Sequence, residues 1–198
     1  MKKSLKVFGI CTIVIIGILI ALYIRHNKGG TVIHCTSEYA VNKSLIAYRQ
    51  DDKAWKDSKL GNSFYTLGSS GCVVTSITSA LSVSPLQMTP KEFNRLLSEK
   101  NVYDDEGNLQ WGMLEQIEGL HADVYTEVSS DIIDTCLNNG KYPIIKVHQN
   151  NLFSYHHYIL VIGAQNGEYI CMDPLQDNLT KLSDYGNKVY AIRCVWYE

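Results

Sequence analysis

The chain has 198 residues, 45% of them apolar and 19% charged, with 14 Gly and only 4 Pro, a balance that excludes disordered, collagen-like and disulfide-dense mini-scaffold classes. Its net charge of −2 is uneven: Lys2, Lys3, Lys6, Arg25 and Lys28 fall in the first thirty residues, leaving 13 basic against 20 acidic residues, a net of −7, for the rest. So acidic a remainder argues against a nucleic-acid partner, and its length suits one domain with its own core.

Val7 to Ile24 is a run of 18 uncharged residues. At about 1.5 Å per residue a helix of that length just crosses a bilayer core of about 30 Å. A cleavable signal peptide has a shorter apolar region, of about 7–15 residues, ending at a small-x-small site, and Ala21-Leu22-Tyr23 is not one. The reading is an uncleaved single-pass anchor over residues 7–24. The lysines and amino terminus before it outweigh Arg25 and Lys28 behind it, which favours a cytoplasmic N-terminus and a domain facing outward. Cys11 reads as a membrane-facing side chain and Gly29-Gly30 as a spacer, so residues 1–30 are anchor and spacer and residues 31–198 the working domain.

From Thr31 to Leu67 no periodicity holds and no element is assigned. The spacing of Val73, Val74, Ile77, Ala80 and Leu81 then predicts a helix, capped by Ser69 or Ser70 and stopped by Pro85, with Cys72 in its first turn. Thr89-Pro90-Lys91-Glu92 is a capping box that opens a helix burying Phe93, Leu96 and Leu97. Trp111 to Gly119 predicts a third helix, and a fourth begins at Ser129 or Ser130, buries Ile132, Ile133, Cys136 and Leu137, and ends at Asn139-Gly140. Residues Val83 to Leu109 are expected to include a cleft-side insertion. From Lys141 the pattern turns to strands, over Pro143–Val147, Tyr158–Ile162, Tyr169–Met172 and Val189–Trp196. Helices followed by strands imply an α+β domain with an antiparallel sheet.

Beyond Cys11, five cysteines remain: Cys35, Cys72, Cys136, Cys171 and Cys194. An odd number in an extracytoplasmic domain flags a free reactive thiol. No Cys-x-x-Cys pair is present and the histidines complete no zinc pattern, so no metal or cofactor is expected. Cys136 reads as core. Cys171 and Cys194 lie in strands, where burial or a disulfide accounts for them, with Cys35 as a partner for either.

Cys72 is the thiol in a position for chemistry, because the first turn of a helix favours a thiolate and the preceding Gly68-Ser69-Ser70-Gly71 lets backbone approach a substrate carbonyl. A nucleophile also needs a base and a group to orient that base. His156 and His157 head an apolar strand and face opposite sides, so only one can point at Cys72. If Gln165-Asn166-Gly167 is a three-residue loop, Asp173 shares a face with His157. If Asn166-Gly167 is a two-residue turn, Asp173 falls on the face of His156. His34, His121 and His148 read as structural or exposed.

A Gln upstream, Gly-Cys opening a helix, Gly-x-x-Pro before a strand, His-Tyr heading a strand that ends in Gly, and Asp-Pro after the next strand form an ordered set. The segments YRQDDKAWKDSKLGN, TLGSSGCVVTSITSAL, LNNGKYPIIKV, HHYILVIGAQNGEYICMDP and KLSDYGN carry it. This arrangement resembles the double-glycine peptidase-like group of the papain-like cysteine peptidases. The resemblance implies a papain-like α+β fold with Cys72 as nucleophile, His157 as base, Asp173 as orienting group and Gln50 in the oxyanion hole. It selects His157 over His156 because the family's His precedes a large or aromatic residue. Two departures stand out: Gln50 lies 22 residues before Cys72, a longer spacing than papain-like enzymes typically have, and Val73-Val74 follow the nucleophile where relatives often carry Gly and Pro. The function so implied is a membrane-anchored, outward-facing cysteine peptidase acting on a peptide or protein. The alternatives are a peptidoglycan amidase or endopeptidase working on the cell wall, and an inactive relative that binds a peptide in the old cleft.

Overall fold

The near-continuous apolar run from Ile159 to Ala164 is what a strand covered on both faces requires, and it lies inside a six-stranded antiparallel sheet. The computed structural model describes residues 12, 16, 17, 29–149 and 155–198, and Thr31–Glu198 belong to one unit. The anchor expected over residues 7–24 lies outside the described residues but for Thr12, Ile16 and Gly17; among the described residues no helix is long and apolar enough to cross a membrane.

In chain order the strands are β1 (Thr31–Val32), β2 (Leu120–Val124), β3 (Tyr142–Gln149), β4 (Tyr155–Gln165), β5 (Glu168–Met172), β6 (Thr180–Lys181), β7 (Lys188–Val189) and β8 (Ala191–Tyr197). The large sheet runs β2-β8-β3-β4-β5-β6, and β1 pairs with β7 in a ladder of two. The helices are α1 (Leu67–Ser70), α2 (Cys72–Ala80), α3 (Pro90–Glu99) and α4 (Ser130–Asn138).

Alternate side chains of β4 divide between two cores. Leu160 and Ile162 join Val74, Ile77, Phe93 and Leu97 from α2 and α3 on one face. Ile159 and Val161 meet Ile133 of α4 together with Leu182, Tyr185 and Ile192 on the other. The α3 capping box forms as its sequence predicts, with Thr89 Oγ1 accepting from Glu92 N–H and the Glu92 carboxylate accepting from Thr89 N–H. Ser129 caps α4.

Three expectations are corrected. Trp111–Gln116 is a short 3-10 helix that buries only Leu114, because Ile117 is already extended and Gly119 takes a positive φ of 76° that turns the chain into β2. β2 itself, half-exposed at the sheet edge, has too weak an alternation to announce a strand. Cys136 is not merely a core side chain: it is disulfide-bonded to Cys194, joining α4 to β8, while Cys35 and Cys171 are free thiols. The apolar face that α4 turns to the sheet carries Cys136 onto β8, and Cys35 faces Ser37 instead, donating to its carbonyl.

The hairpin between β4 and β5 combines both registers considered for it. Gln165 pairs with Glu168 across a two-residue turn in which Asn166 (φ 56°) and Gly167 (φ 74°) are both left-handed. A bulge at Ile162 then shifts the ladder by one residue, so that Val161 pairs with Cys171 and Leu160 with Met172. The shift carries Asp173 to the face of His157.

Candidate active site

Cys72 is the first residue of α2, and the chain reaches it through a tight double turn. Thr66 caps α1 reciprocally with Ser69: Ser69 N–H donates to Thr66 Oγ1 and Thr66 N–H to Ser69 Oγ. The N-cap of α2 itself is Gly71, with no side-chain cap, so Ser69 serves the turn before the helix and not the helix start expected from the sequence. Only glycine fits at that junction: a Cβ on Gly71 would lie 2.4 Å from the Leu67 carbonyl oxygen and 2.7 Å from its Cα.

Gln50 arrives from the irregular arm through hydroxyls at the end of α2 and just beyond it. Ile46 N–H donates to Ser82 Oγ and Tyr48 N–H to Ser79 Oγ, which explains why a buried helix face carries serines. Gln50 N–H then donates to the Pro174 carbonyl, and its side-chain Nε2 donates to the Gly68 carbonyl at 3.0 Å. The residue is therefore pinned between the turn that leads to Cys72 and the turn that holds Asp173, and it is buried. One Nε2 hydrogen remains after the Gly68 bond.

His157 on β4 is buried, and its Nε2 lies 2.7 Å from Asp173 Oδ1. An ionised carboxylate only accepts, so Nε2 carries the proton and Nδ1 is the ring nitrogen left to face Cys72. Burial works against the imidazolium, but the hydrogen-bonded Asp173 carboxylate and the nearby Cys72 outweigh it and push the His157 pKa up to about 9. Asp173 Oδ1 also accepts from Leu175 N–H at 2.7 Å, and Oδ2 accepts from the Tyr185 hydroxyl. Burial alone would raise the Asp173 pKa; the hydrogen bond and charge of His157, with the Tyr185 and Leu175 donors, lower it instead. His156 is exposed and its ring meets His148 and Tyr190, so the structure brings His157 to Asp173, not its neighbour. His148 is buried in that aromatic group and His121 stacks on Trp196.

Gln50, Cys72 and His157 open onto one cleft of about 580 Å³. Two interlocked loops line part of it. Ser63 of one lies so close to Gly107 of the other that a Cβ there would be 2.4 Å from Ser63 Oγ, and Tyr65, Tyr103 and Leu109 face the opening. The second loop is the end of the stretch expected to form a cleft-side insertion. Trp111 and Tyr158 also line the cleft, their ring centroids 6.4 Å apart. Sequence reasoning missed the role of Tyr185: the segment KLSDYGN was visible as a match, but nothing in its spacing announces a contact with a carboxylate 12 residues earlier.

The His157–Asp173 pair has a pH signature. A histidine raised in the fold contributes stability that is complete below its unfolded value of about 6.5 and is lost as pH climbs through the folded value. A lowered carboxylate contributes stability that is complete above about 3.9 and is lost on acidification. In a Cys72→Ala background, which removes the thiol's share of that rise and leaves the share of Asp173, thermal unfolding is expected to give a Tm that falls by about 2–4 °C from pH 6 to pH 9. Asp173→Asn should flatten that fall, and an equal fall with and without Asp173 would show the pair to be electrostatically unimportant.

The architecture is an α+β, C39 peptidase-like fold. Among solved structures, the chain is similar to the crystal structure of a candidate C39-like peptidase from Bacillus anthracis, with a TM-score of 0.54 over 82% of this chain and 99% of that one at 11% identity. C39 is the peptidase group the sequence resemblance pointed to, and at this identity the likeness carries the fold alone. No protein-family model and no curated protein matches the chain.

Proposed function

We propose that the protein is a cysteine peptidase that hydrolyses peptide bonds through Cys72, His157 and Asp173, held outside the membrane by an anchor over residues 7–24. The observation that carries this reading is the buried His157–Asp173 pair, which shares one open cleft with a cysteine at a helix start.

In the reaction, Cys72 Sγ attacks the amide carbon as a thiolate and the carbonyl π-electrons move to oxygen. The free Nε2 hydrogen of Gln50 and the Cys72 N–H bind that oxyanion. His157 gives its Nδ1 proton to the leaving amine as the C–N bond breaks, leaving a thioester. The neutral imidazole then takes a proton from water as the hydroxide attacks the thioester, and the C–S bond breaks to release the carboxylic acid and restore the thiolate beside the imidazolium. Asp173 keeps the ring in one tautomer throughout.

The test is digestion by the purified chain of casein and a mixed peptide library in parallel with purified peptidoglycan, before and after iodoacetamide. Release of peptide fragments that stops when Cys72 is alkylated supports the peptidase reading. Release from peptidoglycan alone assigns the cleft to the cell wall, and no thiol-dependent release from any of the three overturns the enzyme reading.

A further inference from the structure

Asp173 is a carboxylate with a fully buried side chain, and each of its oxygens accepts from a protein donor. Oδ1 holds His157 and the Leu175 amide, which leaves Oδ2 to be satisfied from elsewhere. The donor that satisfies it is the Tyr185 hydroxyl, delivered by the short 3-10 helix Leu182–Tyr185, which Gly186 ends in the left-handed conformation. The Thr180 hydroxyl lies 3.5 Å from the phenol oxygen and donates its own proton to the Cys171 carbonyl, so the phenol's single proton is left for the carboxylate. The resulting order of hydrogen bonds is Tyr185, Asp173, His157, with Cys72 on the same cleft as the imidazole.

Resting on the peptidase reading, we propose that Tyr185 is a positioning residue of the active site: its hydroxyl holds Asp173 ionised and in the one rotamer that aligns His157 with Cys72. A carboxylate with an unsatisfied oxygen in a buried site takes up a proton or turns to find a donor, and either response withdraws the acceptor from His157. The titratable groups that face Asp173 are His157 and Tyr155 from β4, Cys171 from β5, and Tyr185. Of these only His157 brings a positive charge, so the phenol is the neutral donor that lets Asp173 stay charged without a second cation competing with the imidazolium.

Tyr185→Phe removes that hydroxyl and keeps the ring that packs with Leu182 and Val161. The readout is the rate of iodoacetamide alkylation at Cys72 against pH, in the full chain, for parent, Tyr185→Phe, Asp173→Asn, the double variant and His157→Ala. Tyr185→Phe is expected to move the acid limb of the profile up by about one pH unit, a rate roughly tenfold lower on that limb, with the alkaline plateau unchanged. In the Asp173→Asn background the same change should do nothing. Superimposed profiles for parent and Tyr185→Phe overturn the positioning role, as does a Tyr185→Phe shift that persists undiminished without Asp173. If parent and His157→Ala instead share one profile, Cys72 and His157 do not act together and the peptidase reading itself falls.

Discussion

His157→Ala is expected to lower kcat/KM on any peptide the protein cleaves by roughly 10³- to 10⁵-fold, the scale at which triad members act as a unit. The size follows from how many roles one ring carries. In the proposed reaction it is the cation that accompanies the thiolate, the acid for the leaving amine and the base for the deacylating water, and it is the ring held by Asp173. Cys72→Ala should reach the same floor, and the double variant should fall no further, because losing either member removes the whole unit. His156→Ala is the discriminating control. Its ring meets His148 and Tyr190, away from Asp173, so it should not share the loss. Initial rates on a peptide that the parent cleaves check this, with iodoacetamide labelling near pH 6 as a substrate-independent second readout. Retention of a tenth of the parent rate by His157→Ala, or an equal loss in His156→Ala, would sink the assignment.

The parts of the site that could be read from the chain are those set by local chemistry. A Gly-rich turn before an apolar helix places Cys72 because the helical period and the missing Cβ at Gly71 act within a few residues. The capping box at Thr89 and the cap at Ser129 are local in the same way. What escaped is set by distant partners. Asn166-Gly167 correctly suggests a two-residue turn, yet that turn alone would put Asp173 on the side of His156. The bulge that corrects the register depends on residues 39–42, which lie along β4: Asn42 N–H donates to the Ile162 carbonyl, and Tyr39 and Ala164 exchange both backbone bonds. The Cys136–Cys194 bridge and the Tyr185–Asp173 bond likewise join segments whose meeting is decided by the packing of the sheet faces. The longer spacing between Gln50 and Cys72 proves compatible with a shared cleft because Ser79 and Ser82 hold the arm that leads into Gln50, and Gln50 itself bonds back to Gly68 in the turn before Cys72.

That dependence makes Gly163 a position at which one methyl group should do heavy damage to the scaffold. It follows the bulged Ile162 and has a φ of +155°, and a Cβ there would lie 2.7 Å from Val41 Cα, 2.8 Å from the Ala40 carbonyl oxygen and 2.9 Å from Val41 N. All three are backbone atoms, so no side-chain rotation relieves the overlap. Residues 39–42 must move off β4, giving up the paired bonds between Tyr39 and Ala164 and the bond from Asn42 to Ile162. Gly163→Ala is therefore expected to cost on the order of 3–5 kcal/mol, read by urea unfolding at 25 °C. Gly167→Ala is the matched comparison: it too has a positive φ, 74°, but a Cβ there meets nothing within 4 Å, so it should cost only the left-handed strain of about 1–2 kcal/mol. Because the bulge sets which face Asp173 occupies, the folded fraction of Gly163→Ala should also label at Cys72 more slowly on the acid limb, whereas Gly167→Ala should not. Equal unfolding costs for the two variants would mean that the arm over β4 is loose, and the link from that arm through the bulge to the alignment of Asp173 with His157 would fall with it.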